Sequence, residues 1–269
     1  MTARFLHITT SSVKMYLGES QYKKEGIGIM ENKNRKSFVG GASLVVAFVL
    51  WTVLVRFVDV QAIGPVGSSV GFATLNGFVH ELTGVNWLLY AVTDWLGLVP
   101  ISVAFGFAGL GLVQLIKRKS LWKIDSSILS LGVFYVAVMV AYIFFEMVVI
   151  NYRPTLIEGY LEASYPSSTT MLVMCVMPTA AMQLNARIKY TVFRRCAVIT
   201  IIAFTAFMVI GRLLSGVHWI TDIIGGALLS AGLVMTYDAF GTIIPTKKHR
   251  KPQGPSVLFW SECEQRKND

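Results

Sequence analysis

The sequence predicts an all-α polytopic membrane bundle of six spanning helices with both termini in the cytoplasm. Three observations predict it. The chain is 54% apolar and only 14% charged, where a soluble domain carries about a quarter charged residues. The apolar residues gather in long runs rather than in the short alternating stretches of half-buried strands. The basic residues gather in short clusters between those runs, the pattern of cytoplasmic membrane loops. A net charge of +9 distributed in this way argues against a nucleic-acid partner and for a membrane.

Taken in order, residues 1–37 form a cytoplasmic N-terminal segment. It holds no apolar core ahead of a cleavage site and so no signal peptide. Met30-Glu31-Asn32-Lys33 reads as a protein start, which makes Met30 a candidate initiator. A bilayer core takes roughly 17–25 apolar residues per helix. The clear runs are Phe38–Val55, Trp95–Ile116, Ile128–Ile150 and Trp219–Phe240, and two shorter ones are Thr169–Gln183 and Cys196–Leu214. Each can satisfy its own backbone hydrogen bonds as a helix, which lipid requires. Pro178 is a candidate kink in the fourth. Phe57–Asp94, with Gly64-Pro65, Gly67, Gly71, Gly77 and Gly84, reads as short helices and turns on the outer surface, packed at the interface or forming a lid. One membrane domain thus covers residues 38–240, and residues 241–269 form a basic, disordered cytoplasmic tail. The three cysteines, Cys175, Cys196 and Cys263, supply no paired framework.

Charge orients the spans. Lys33/Arg35/Lys36, Lys117/Arg118/Lys119/Lys123, Arg187/Lys189/Arg194/Arg195 and Lys247/Lys248/Arg250/Lys251 all fall on one side of an even-numbered bundle. That side is the cytoplasm. Of 24 Lys and Arg residues, Arg56, Arg153 and Arg212 fall at outer ends. Arg56 reads as a flanking residue that snorkels. The other two stand close to further polar residues.

Three outer segments converge by topology: Arg153-Pro154 at the end of the third span, Tyr165-Pro166-Ser167-Ser168-Thr169 opening the fourth, and Arg212 with His218-Trp219-Ile220-Thr221-Asp222 between the fifth and sixth. Arg153 and Arg212 offer planar donor forks that suit phosphate oxygens. A helix starting near Ser167 offers unpaired backbone N–H groups to an anion, and Ser167 and Ser168 add hydroxyls. His218 and Asp222 are four apart, so on a helix they share a face. Asp222 can then orient one ring nitrogen and leave the other free as base or nucleophile. Singly, each residue has a plainer role: helix cap, interfacial anchor or loop polar group. Together they describe a phosphoryl-transfer site. No His/carboxylate cluster supplies a metal-ligand set, and no cofactor is implied.

The pattern resembles the type 2 phosphatidic acid phosphatase superfamily, whose signature is K-x6-R-P, then P-S-G-H, then S-R-x5-H-x3-D. Gly211-Arg212-x5-His218-x3-Asp222 matches the third motif except that Gly211 stands in place of Ser. Arg153-Pro154 matches the first, with Glu146 at the lysine position. Pro166-Ser167 matches the second, with Ser168 for Gly and Thr169 for His. The resemblance implies a six-span membrane enzyme with its site at the extracytoplasmic face. His218 would attack phosphorus and form a phosphohistidine, Asp222 would orient it, and Arg153 and Arg212 would hold phosphate oxygens. It also implies that the missing histidine, which protonates the leaving oxygen, has no counterpart in Thr169. General acid help is typically worth ~10²–10⁴ in rate, so a substrate whose leaving group departs as a stabilised anion is favoured.

The expected function is therefore hydrolysis of a lipid phosphate, and preferably of a lipid diphosphate such as an isoprenoid diphosphate. The alternatives are a degenerate member that binds a lipid phosphate as a carrier, flippase component or accessory subunit, and a phosphotransferase using the same site. Glu146 is either a substitute acid or arginine partner, or a buried, protonated or hydrogen-bonded carboxyl. His80 is a second candidate substitute acid.

Overall fold

The structure, a computed structural model, describes residues 31–243, with side chains through residue 240. The expectation for a start at Met30 falls outside that range; of the disordered tail expected from residue 241, residues 241–243 instead belong to the last helix and the rest lies outside the range. Helix α1 spans Glu31–Phe57. It is followed by α2 (Ala73–Thr83), α3 (Trp87–Leu96), α4 (Leu98–Arg118), α5 (Ser126–Met147), α6 (Ser168–Arg187), α7 (Thr191–Leu214) and α8 (Ile220–Ile243). Among the described residues extended structure is limited to isolated bridges, Gln61 with Val70, Tyr152 with Ala163, and Ile157 with Tyr160.

Five helical stretches are long and apolar enough to cross a membrane: α1, α3–α4 together (Trp87–Arg118), α5, α7 and Ile220–Phe240 of α8. With apolar side chains such as Val46, Phe105, Val133 and Ile199 exposed along them, the chain is a multi-pass membrane protein. The sixth expected span, α6, is not among these five. Its position explains why. It packs against α4, α5, α7 and α8, and Thr170, Cys175, Thr179 and Gln183 are all buried. A helix surrounded by protein need not be apolar all round, and small and polar residues suit contact between helices. The Thr179 hydroxyl donates to Cys175 O at 2.8 Å and lies 3.2 Å from Tyr135 Oη, while Gln183 Nε2 donates to Tyr237 Oη at 2.7 Å. Helix α6 is continuous through Pro178.

Several boundaries differ from those expected. α1 begins before Phe38, so Lys33, Arg35 and Lys36 lie within the helix. α4 starts at Leu98, and only Gly97 separates it from α3. α5 stops at Met147 rather than Ile150, so Arg153-Pro154 lies in an irregular loop and does not end the span. α7 begins at Thr191 rather than Cys196, so Arg194 and Arg195 are helical. Amphipathic helix ends carry charge out to the interface, so apolar runs alone misjudge them.

Of the Phe57–Asp94 stretch, the part up to residue 86 is short helix and turns, as expected, whereas Trp87–Asp94 is helical and joins α4 in one candidate span. Asp59 Oδ2 accepts from Thr74 N at 2.7 Å near the start of α2, and Asn86 caps α3 by accepting from Leu89 N at 2.9 Å. Two of the basic segments meet at the opposite end of the bundle from this region. Arg118 pairs with Asp125 at 2.9 Å ahead of α5, and Arg187 at the end of α6 donates to Ser127 Oγ at 3.1 Å. The Arg118 hydrogen bond holds the Asp125 carboxyl below its ordinary range. α5 then runs away from this basic end to deliver Glu146 and the loop that bears Arg153 to the other.

Candidate active site

The 148–167 loop folds back on itself so that Arg153 turns inward. Arg153 N donates to Glu162 O at 3.0 Å, and Ser164 N donates to Asn151 O at 2.9 Å. The Arg153 side chain is 11% exposed, with Nε 3.0 Å from Glu162 Oε2. Its Nη1 lies 3.4 Å from His218 Nε2.

His218 is not itself helical. It sits in the turn between α7 and α8, and is buried. The turn nevertheless brings its Nδ1 within 3.8 Å of Asp222 Oδ2. That is longer than a made hydrogen bond. The same Asp222 oxygen accepts from Trp219 N at 3.0 Å, the reach-back of a third-position carboxylate to the start of its helix. Asp222 therefore caps α8 and faces the imidazole at once. Burial, then the charges of Arg153 and Arg212, hold the His218 pKa well below its ordinary value, with the Ser164 backbone opposing. Both effects favour the neutral ring. A guanidinium can donate only to an unprotonated Nε2, so the proton belongs on Nδ1, facing Asp222 and Ser164.

Arg212, in the last turn of α7, is almost wholly buried. Three residues of α3 hold its guanidinium. Nη2 lies 3.6 Å from Asp94 Oδ1, Nη1 donates to Thr93 Oγ1 at 3.4 Å, and the guanidinium carbon sits 4.9 Å from the centre of the Tyr90 ring. Gly211, where the motif calls for Ser, has a reason here: a Cβ at this position would lie 2.8 Å from Thr93 Cγ2.

At the start of α6, Ser167 is the N-cap. It is fully buried, its Oγ accepts from Thr170 N at 3.5 Å, and its N–H donates to Asp222 O at 3.1 Å. Its hydroxyl is thus turned to its own helix, which is the plainer of the two roles expected for it. Ser168 instead lines a small pocket with Tyr142, Glu146, Ser164, Pro166 and His218. The Tyr165-Pro166 peptide bond on its wall is cis. Glu146 is exposed rather than buried, which removes the reading of it as a buried carboxyl. α5 having ended at Met147, it is also not two helical turns from Arg153. Thr169 is half-buried and does not line the pocket. His80, on α2, stands outside it with its ring 5.5 Å from that of Trp219, and burial lowers its pKa against the pull of Glu81.

The structure thus brings together Arg153, Arg212, His218, Asp222, Ser168 and Glu146. It adds residues that motif reading passed over: Glu162 on Arg153, the three α3 residues on Arg212, and a buried polar layer beneath. In that layer Asn76 Nδ2 donates to Gly71 O at 2.7 Å and Thr221 Oγ1 at 3.0 Å, and Asn151 Oδ1 accepts from Gly71 N at 3.3 Å. Tyr90, Thr93 and Asp94 stand at helical spacing on one face, the signal that could have found them.

Residues 126–242 match the family model of the PAP2 superfamily. Among solved structures, the chain matches the crystal structure of the first transmembrane PAP2 type phosphatidylglycerolphosphate phosphatase from Bacillus subtilis, with a TM-score of 0.55 and 18% identity, over 77% of this chain and 98% of that one. At that identity the likeness is one of fold. No curated protein matches. The matched region holds every motif residue, from Glu146 to Asp222; α3 lies before it.

Proposed function

We infer that this multi-pass membrane protein, whose residues 126–242 are a PAP2-superfamily region, is a lipid phosphatase acting through His218, with lipid diphosphates as its preferred substrates. One observation carries the reading: a buried His218 has Asp222 on its Nδ1 side and Arg153 at its Nε2. A structural histidine has no need of an arginine on its free nitrogen.

In the proposed reaction the substrate phosphoryl group enters between Arg153 and His218. Nε2 attacks phosphorus, a P–N bond forms, and the P–O bond to the leaving group breaks. The imidazole is then cationic in character, and Asp222 stabilises the charge that appears on the Nδ1–H. Arg153 and Arg212 hold the equatorial oxygens, where charge gathers. Water then attacks the phosphohistidine, releasing inorganic phosphate and the free imidazole. The leaving oxygen must carry off an electron pair. A phosphate leaves as a stabilised anion and needs no proton; an alkoxide needs one. Thr169 cannot supply it near neutrality. Glu146, in the same pocket as His218, is the carboxyl available for that task.

The site is assigned to the extracytoplasmic face, with six spans and both termini inside. The convergence of Arg118, Asp125, Ser127 and Arg187 at the end opposite the site supports this, because basic clusters stay in the cytoplasm. A second reading, a binder of lipid phosphate without turnover, is favoured by one specific observation: both arginines are already paired with carboxylates. Phosphate release by the purified protein in detergent separates the two. Lipid diphosphates and activated aryl phosphates are expected to be cleaved faster than phosphatidic acid. Lipid-phosphate binding with no cleavage of any of the three would select the binder.

A further inference from the structure

The residues that hold Arg212 come from outside the matched PAP2-superfamily region. α3 is fastened to the α7–α8 turn at several points. Asn86 N donates to Ser215 O at 3.0 Å. Gly216, at φ +67°, meets Gly84 so closely that a Cβ would lie 1.7 Å from its carbonyl oxygen, and Gly211 admits Thr93. The contacts lock α3 in register with the last turn of α7. Tyr90, Thr93 and Asp94 then present a ring face, a hydroxyl and a carboxylate to one guanidinium. Arg212 Nε, buried, is left without a hydrogen-bond partner among the described residues. A buried guanidinium with a free donor is a costly arrangement unless a ligand completes it.

We propose that Tyr90, Thr93 and Asp94 of α3 form a cradle that positions the Arg212 fork for the phosphoryl group, with Asp94 as its principal positioning residue. The proposal rests on the phosphatase reading above. The cradle leaves Nε for the substrate's oxygen while Asp94 and Thr93 occupy the two outer nitrogens. Because Asp94 is 58% exposed at its side chain, its attraction alone would not hold the fork; the hydroxyl and the ring supply the remaining constraint. The exposed carboxylate also has an opposing capacity, since it competes with a phosphate for the same cation. The two roles predict opposite effects on removal.

The test compares the full chain in detergent with Asp94→Asn, Asp94→Glu, Thr93→Val and Thr93→Ser, reading kcat and KM on an aryl phosphate and affinity for orthovanadate. Misplacing a catalytic group by an ångström costs up to ~10² in rate. Asp94→Asn and Thr93→Val are expected to lower kcat about 10- to 100-fold and weaken vanadate binding in parallel, with Asp94→Glu and Thr93→Ser recovering most of both. The proposal is overturned by an unchanged kcat in both disruptive variants, by a lower KM or tighter vanadate binding in Asp94→Asn, or by no recovery in the conservative pair. His218→Ala keeps the two readings apart. Turnover that survives it refutes the nucleophile whatever Asp94 does. If the wild-type chain turns nothing over, the vanadate arm still decides the cradle.

Discussion

Burial alone would leave His218 an inert neutral imidazole, and what faces each nitrogen decides whether it can react. Its lowered pKa keeps Nε2 unprotonated as pH falls well below the usual histidine range, so the attacking lone pair persists into mild acid. The leaving-group side is a separate matter, and Glu146 and Thr169 make distinct predictions there. Glu146→Gln is expected to lower turnover of an alkyl monophosphate on the order of 10²-fold while leaving a lipid diphosphate within about threefold, because only the alkoxide needs a proton. Thr169→Ala is expected to change neither. Equal losses on both substrates in Glu146→Gln would assign the carboxylate a structural role instead. Arg153, Arg212, His218 and Asp222 could be singled out in the sequence by their motif spacing, and the structure sets His218 between Arg153 and Asp222. Glu162 and Asp94 could not: their pairing with the arginines depends on where a loop and a helix distant in sequence are docked by the fold.

At the scale of elements, the departure Gly211 is explained by α3. The close approach of Thr93 leaves no room for a side chain there. Gly211→Ser is therefore expected to destabilise the protein by about 1–3 kcal/mol through overpacking and to lower activity by shifting the cradle from Arg212. Adding Thr93→Ser removes Cγ2 and keeps the hydroxyl, so the double variant should recover both. Thermal midpoints and aryl phosphate turnover of the single and double variants check this, and a neutral Gly211→Ser would show that α3 is not tightly docked. The sequence announced short helices between Phe57 and Asp94 through its glycines, yet nothing in it said that one of them would pack onto an arginine more than a hundred residues later. α6 was legible as a helix start at Ser167 but not as a lipid-facing span. Hydropathy reads what surrounds a helix, and α6 is surrounded by protein.

For the molecule as a whole, the bundle sorts its charges by end. Among the described residues, Arg118 and Arg187 meet Asp125 and Ser127 at one end, and Arg153 and Arg212 pair with carboxylates at the other. That separation was visible in the sequence from the spacing of basic clusters alone, whereas the helix ends were not, because charged residues extend helices past their apolar runs. A site at the outer face that works through His218 should form a covalent phosphoenzyme there and nowhere else. The most direct measurement is therefore alkaline-quenched trapping with a membrane-impermeant substrate labelled in its transferred phosphoryl group, applied to right-side-out and inverted vesicles. A base-stable, acid-labile phosphoprotein is expected in right-side-out vesicles only, and none in His218→Ala. Label retained in His218→Ala, or label confined to inverted vesicles, would contradict it.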